Sequence, residues 1–449
     1  MKKHIKNSIL KTLTAAFLLV LFTATTALAQ TDNDTEALIS DYIEQWFYDS
    51  FSEHYVIDDY QSVISDMQVN GSDISAKIAI MAMTTLDYDS VEDVPYMRGL
   101  KNALNISAFA EIVPAAYVNS LSSAATSELT KSVAIMQSQK YESAINRLEV
   151  SKVSGVSTLS YNSAINNILS SLPKNISRVQ ATNLVQMVAD KFVDVAECID
   201  RSTVLSMDLT FSAKLNNGQL VDIEMNHIYD DELIPVDDTL IENANTMVAA
   251  AAQDLTSFLE STAANTLSMN IGTSIVPMGY SSYNRIAARN YAWQYTAPGY
   301  GYNTGSYPTY GDGYSAAGGI DTSYWNLAKY KCTTETDHAS NEVDCACFVS
   351  QCLHAGGIPI TTTWKFSTLA WCSVPHLIDY MTSTKSYMDI GTRATCNAGN
   401  VIKTSSSHVV LCTYNDTVTG RYTGHTNDRN NKYYPISGSG WTFYNINTN

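Results

Sequence analysis

Past residue 30 the sequence has no apolar run approaching the ~20 residues that a membrane-spanning helix requires. Basic residues are scarce as well: 27 Lys and Arg stand against 44 Asp and Glu, for a formal net charge of −17. No stretch carries the basic surplus that binding to a phosphate backbone needs, which argues against nucleic acid as a partner. Neither a Cys-x-x-Cys nor a His-x-x-x-His pair occurs, so the usual spacing of a zinc site is missing, and no metal or organic cofactor is expected.

What is present begins with a secretory signal. Lys2, Lys3, Lys6 and Lys11 form a basic region, 15–21 is apolar, and Ala27-Leu28-Ala29 is a small-x-small cleavage site. This predicts removal of 1–29, a mature chain starting at Gln30, and a secreted or cell-wall-associated protein with no membrane contact after cleavage. No lipidation cysteine or cell-wall sorting tail is expected. The charge of the remainder is uneven. Residues 30–270 hold 34 acidic and 12 basic side chains, a net −22, whereas 271–449 hold 10 and 11, a net +1. The step marks a boundary between an acidic N-terminal domain, 30–270, and a C-terminal domain, 271–449, rich in Tyr and Trp.

In the first domain, 35–52 reads as an amphipathic helix with Leu38, Ile39, Tyr42, Ile43, Trp46, Phe47 and Phe51 on one stripe. Strands follow at 60–69 and 74–86, then a helical pattern over 94–196 broken at Pro114, Gly155 and Pro173. Two strands at 204–215 and 219–228 flank Asn216-Asn217-Gly218, a hairpin turn. A last helix covers 240–263. The expectation is an α+β domain with a helical insertion, loosely analogous to cystatin-like or NTF2-like folds, an analogy that carries no function. The acidic cluster Asp230, Asp231, Glu232, Asp237, Asp238 lacks a calcium-loop spacing and reads as a solvated loop. A linker is expected near 264–280, a helix at 283–292, and a Gly/Tyr-rich loop at 298–319.

The chain is organised around 344–357. Asp344 suits a helix N-cap, and Gly356 suits the left-handed residue past a C-terminus. Between them Cys345, Phe348, Val349, Cys352 and Leu353 share one face. Cys345 thus sits at a helix N-terminus, where the dipole and unpaired N–H groups favour a thiolate and can hold an oxyanion. A cysteine nucleophile needs an imidazole, itself oriented by a third group. Downstream, His408 opens a strand over 408–414. A second strand, 417–426, carries His425, with Asn427 beyond it on the same face. Either could fix the tautomer of His408. A helix-borne Cys followed by a strand-borne His and a polar group is the papain-like order.

These residues carry a resemblance. Tyr283-x-Arg285, Tyr291-Ala292, Asp344-Cys345-x-x-Phe348-Val349-Ser350-Gln351, Leu353-x-Ala355-Gly356-Gly357, Trp364, Trp371-x-x-Val374-x-x-Leu377, His408-Val409-x-Leu411 and His425-Thr426-Asn427-Asp428 resemble the bacterial putative amidase domain family, relatives of CHAP-type and NlpC-type cell-wall peptidases, over about 275–449. The resemblance implies a papain-like domain with the Cys345 helix packed on an antiparallel sheet. It implies Cys345 as nucleophile, His408 as base, and His425 or Asn427 as the orienting residue. Cys347 stands where the family usually has Asn, Gly399-Asn400 replaces a Gly-Asp, and the segment before Asp344 is expanded, which leaves room for a changed substrate.

The function expected is a secreted thiol amidase or peptidase acting on cell-wall peptide. Two competing classes are a non-catalytic surface or adhesion module that keeps the fold, distinguished by the absence of a fast-alkylating cysteine, and an acyl-transferring toxin, distinguished by transfer to added amines. Of eight cysteines, Cys345 must stay reduced and Cys198 reads as a buried apolar residue. Cys332, Cys347, Cys352, Cys372, Cys396 and Cys412 remain, an even number consistent with disulfides in an exported protein. Cys347 and Cys352 point away from each other on one helix, so each is expected to pair outside it or stay a buried thiol.

Overall fold

The computed structural model describes residues 32–114, 158–171, 176–229, 232–236, 244–269, 283–296, 344–366, 368–393, 395–404, 407–425, 429–434 and 441–446. Helix α1 (Asp32–Phe51) buries Ile39, Ile43, Phe47 and Phe51 completely, one residue per turn along a single stripe. That stripe packs on β1 (Tyr55–Asn70), where Phe47 meets Tyr60 at 5.2 Å between ring centroids. β1 and β2 (Asp73–Leu86) form a long antiparallel hairpin. Three helices follow: α2 (Pro95–Ala103), α3 (Thr158–Ser171) and α4 (Arg178–Asp200). α4 starts at a reciprocal cap in which the Ser177 hydroxyl accepts from Gln180 N–H and the Gln180 side chain accepts from Ser177 N–H.

β3 (Thr203–Asn216) and β4 (Gln219–Tyr229) are joined by the expected turn, with Asn217 and Gly218 both left-handed at φ 52° and 79°. A short β5 (Glu232–Pro235) extends from β4, and α5 (Ala244–Met269) follows. Glu232 of the acidic cluster lies on that strand, while Asp230, Asp231, Asp237 and Asp238 lie outside the described residues. The expected linker begins inside α5, which runs to Met269. The remainder of the linker and the Gly/Tyr tract at 298–319 lie outside the described residues, as does Cys332.

The second part opens with α6 (Arg285–Gln294), capped by the Asn284 side chain accepting from Ala287 N–H at 2.9 Å. The cysteine-bearing helix α7 (Cys345–Ala355) comes next. Short strands complete the chain: β6 (Met388–Gly391), β7 (Val401–Lys403), β8 (Val409–Asn415), β9 (Gly420–Gly424), β10 (Arg429–Tyr434) and β11 (Thr442–Ile446). The class is α+β, as expected, and the described strands form one mixed sheet ordered β1-β2-β3-β10-β9-β8-β7-β11-β6, with β4 and β5 branching from β3. β10 runs parallel to β3 at Ser206 and Lys432, and the other pairs are antiparallel.

The charge step near 270 therefore coincides with a seam inside one sheet. Arg421, fully buried, donates to Val204 O at 2.7 Å and Thr203 Oγ1 at 2.6 Å, and pairs with Asp416 at 3.3 Å. Asp416 in turn accepts from the Tyr55 hydroxyl at 2.8 Å. Asp208 takes Arg429 at 2.9 Å and Lys432 at 2.6 Å. On the helical side, Asp190, Asp194 and Glu197 form one stripe of α4. Arg285 pairs with Asp190 at 2.7 Å and Asp194 at 3.3 Å, and Arg289 makes a two-bond fork to Glu197 at 2.9 and 3.0 Å. Part of the acidic surplus of 30–270 is thus matched by the arginines of the second part.

Candidate active site

Specific contacts hold the 344–357 stretch at its start, middle and end. Cys345 is the first residue of α7 and 3 % exposed. Its thiol donates to the Ser407 carbonyl at 3.6 Å, so it lies against the peptide that leads into His408. His408 is buried and immediately precedes β8, whose pairing with β7 fixes the strand position. The order read from sequence, a cysteine on a helix and a histidine at a strand entrance, is thereby brought into one place by α7 packing on β8 and β9.

Asp344 is the N-cap by position, but its side chain makes no capping bond. Its carboxylate instead lies 2.8 Å from His425 Nδ1. The other ring nitrogen of His425, Nε2, meets the backbone carbonyl of Tyr295, and the ring stacks on Phe348 at 3.9 Å between centroids. Both ring nitrogens of His425 therefore face oxygen atoms, one of a carboxyl group and one of a backbone carbonyl. These contacts of His425 run to Asp344, Tyr295 and Phe348, and they tie the ring to the first turn of α7. Asn427 lies outside the described residues.

The C-terminal cap also differs from expectation. Gly356 is right-handed, at φ −70°, and the left-handed residue is Gly357, at φ 107°. Gly356 serves another need: a Cβ there would collide with the Tyr283 ring. Tyr283 donates to Gly399 O at 2.5 Å, and Asn284 N–H donates to Gly356 O at 2.7 Å, so the start of the second part is bound across the far end of α7.

The remaining motif residues are positioning groups. Ser350 donates to Trp371 O at 2.8 Å and accepts from Trp364 Nε1 at 3.2 Å, while the two Trp rings pack at 4.7 Å. Gln351 accepts from the Tyr291 hydroxyl at 2.8 Å. Asn400, which replaces an acidic residue of the resembled family, donates to Asn445 at 3.2 Å and accepts from Ile446 N–H at 3.0 Å, joining β7 to β11. Sequence reading missed the Asp344–His425 pair and the Tyr295 carbonyl. The adjacency of Asp344 to Cys345 was the one available signal.

Cys198, Cys345, Cys347, Cys352, Cys396 and Cys412 are free thiols, and Cys372 is disulfide-bonded. Burial pushes the thiols of Cys198 and Cys352 well up, as befits packing residues. Among the described residues no group of three His, Cys, Asp or Glu side chains is arranged to hold a metal ion. Nor is any described helix long and apolar enough to cross a membrane.

No curated protein and no solved structure matches the chain. Residues 282–448, which run from the Tyr283 anchor through the Cys345 helix to the last strand, match the family model described as a putative amidase domain.

Proposed function

We propose that the protein is an exported cysteine-dependent amidase that hydrolyses amide bonds of cell-wall peptide, working on a papain-like arrangement of helix and sheet. The observation that carries this reading is the seating of Cys345 at the start of α7 against the Ser407–His408 peptide, inside the segment that matches the amidase family model. In the proposed reaction the Cys345 thiolate attacks the amide carbonyl, and the N–H groups of the first turn of α7 stabilise the oxyanion that forms. His408, having taken the thiol proton, delivers it to the leaving amine as the carbon–nitrogen bond breaks. Water then cleaves the thioester, releasing the acid and restoring the thiol. His425, held by Asp344, fixes the helix entrance against β9 and keeps the attacking sulfur in line.

The export signal at 1–29 and the resemblance of 275–449 to cell-wall peptidases support the choice of substrate. Incubating the purified full chain with peptidoglycan and identifying new amino and carboxyl termini by mass spectrometry tests it. Cys345→Ala and His408→Ala are each expected to reduce cleavage by at least about 10³-fold, because the two groups act as a unit. Undiminished cleavage by folded Cys345→Ala protein would refute the thiol mechanism. Cleavage of simple amides but not of peptidoglycan would refute the substrate alone.

A further inference from the structure

Away from Cys345, the seam between α4, the segment 395–400 and β8 encloses a second group of reactive side chains. Cys396 and Cys412 are free and fully buried. The Cys412 thiol donates to the Cys396 carbonyl at 3.4 Å and lies 3.9 Å from the Tyr434 hydroxyl, which places it against the backbone of Cys396. Lys191 of α4 is fully buried, and its Nζ has no hydrogen-bond partner among the described residues. The ammonium lies close enough to both thiols to feel their charge. Neither thiol takes part in the proposed amidase reaction, and two buried cysteines in contact, the sulfur of one on the carbonyl of the other, are a starting arrangement for a bridge of about 2.05 Å between sulfurs.

We propose that Cys396 and Cys412 are a redox pair that closes to a disulfide by exchange with a small or protein disulfide while the chain folds. One thiolate displaces a thiol from the reagent and forms a mixed disulfide. The second thiolate attacks that sulfur and releases the other half. Two thiol protons leave, and the two electrons reduce the reagent disulfide to two thiols. The timing follows from the packing. Burial pushes the Cys396 thiol well up, the neighbouring Cys412 adds to the shift, and Lys191 opposes it only in part. The folded chain therefore shields the pair from attack, and closure belongs to the interval before the segment 395–400 has packed. Once formed, the bridge ties that segment to β8, the strand that His408 leads into, and the segment also carries Ala398, whose N–H donates to Asp194 of α4 at 3.1 Å. The proposal is independent of amide hydrolysis.

The test uses the full chain, reduced and denatured, then refolded with oxidised glutathione. Digestion without reductant is expected to yield a cross-linked peptide pair joining Cys396 to Cys412, with Cys345 and Cys352 alkylated. The same reagent added after folding under reducing conditions is expected to leave Cys396 and Cys412 unlinked, and to be accepted only when denaturant opens the chain. Refolded, oxidant-treated protein in which both cysteines are alkylated in full would overturn the proposal. So would a product joining Lys191 to either cysteine through one added oxygen. Rapid closure in the folded chain would overturn the timing.

Discussion

At the scale of single residues, Lys191 shows what burial costs. Desolvation brings its ammonium down to about 8 from the ordinary 10.5, with Asp194 and the two thiols opposing the shift. The unfolded chain keeps this proton up to about 10.5, so between about 8 and 10.5 the unfolded state binds more protons and stability rises with pH; below about 8 both states carry the charge and the whole penalty is present. Lys191→Met is expected to stabilise the fold by roughly 3 kcal/mol at neutral pH and to remove the rise above pH 8. Urea unfolding of both proteins on either side of that pH checks the size and the slope together. In the active site, Asp344→Asn keeps the shape of the side chain but not the charge that His425 faces. A drop in kcat of about 10- to 100-fold with little change in KM is expected, as for a small misplacement of reacting groups. An equal rise in KM with kcat intact would assign Asp344 to substrate binding instead.

At the scale of elements, α4 carries the most consequence. Its stripe of Asp190, Asp194 and Glu197 meets Arg285 and Arg289 of α6 in a setting where Asp194 and Arg289 are almost wholly buried. Asp194→Ala removes one of the two carboxylates that Arg285 meets and the acceptor of the Ala398 N–H, so it is expected to cost about 1.5–3 kcal/mol, readable as a shift in the denaturant midpoint. An effect below about 1 kcal/mol would mean that the pair is solvated in solution. The same interface shows why some elements were legible in the sequence and others were not. The apolar stripe of α1, the Asn217-Gly218 turn and the face of α7 are local patterns, and each element lies within a few residues of its expected range. β5, β6, β10 and β11 were not foreseen. β10, from Arg429 to Tyr434, has no alternation because its polar side chains are buried against Asp208 and Trp293, partners that no local window contains. The Asp344–His425 pair eluded sequence reading for the same reason, since 81 residues separate its members. The resembled motif located Cys345 and His408, while the roles of Ser350, Gln351 and Trp364 as supports for α7 came only from their contacts.

At the scale of the whole molecule, composition marks two parts and the sheet joins them. The described core of the first part includes Trp293, Tyr414, Val418 and Tyr433 from the second. Residues 271–449 expressed alone would carry Arg421 without Thr203 and Val204, and Arg429 and Lys432 without Asp208. That fragment is expected to lack a cooperative unfolding transition, whereas the full chain is expected to unfold in one step by both near-UV and far-UV circular dichroism. A well-folded, active fragment would refute this coupling and restore the independence that the charge step implies. The seam also has a consequence in time. β4 covers β3 only from Leu209 onward, and the earlier half of β3 is met by β10. Ser206 and Asn430, which are bonded there, are 224 residues apart in the chain. At about 5–20 residues per second, a ribosome takes roughly 10–45 s to deliver the second after the first. Throughout that delay the nascent chain carries an unfilled slot in the middle of its future sheet. A stop codon anywhere before 429 makes the slot permanent, so late truncations should aggregate more than early ones that remove β3 as well.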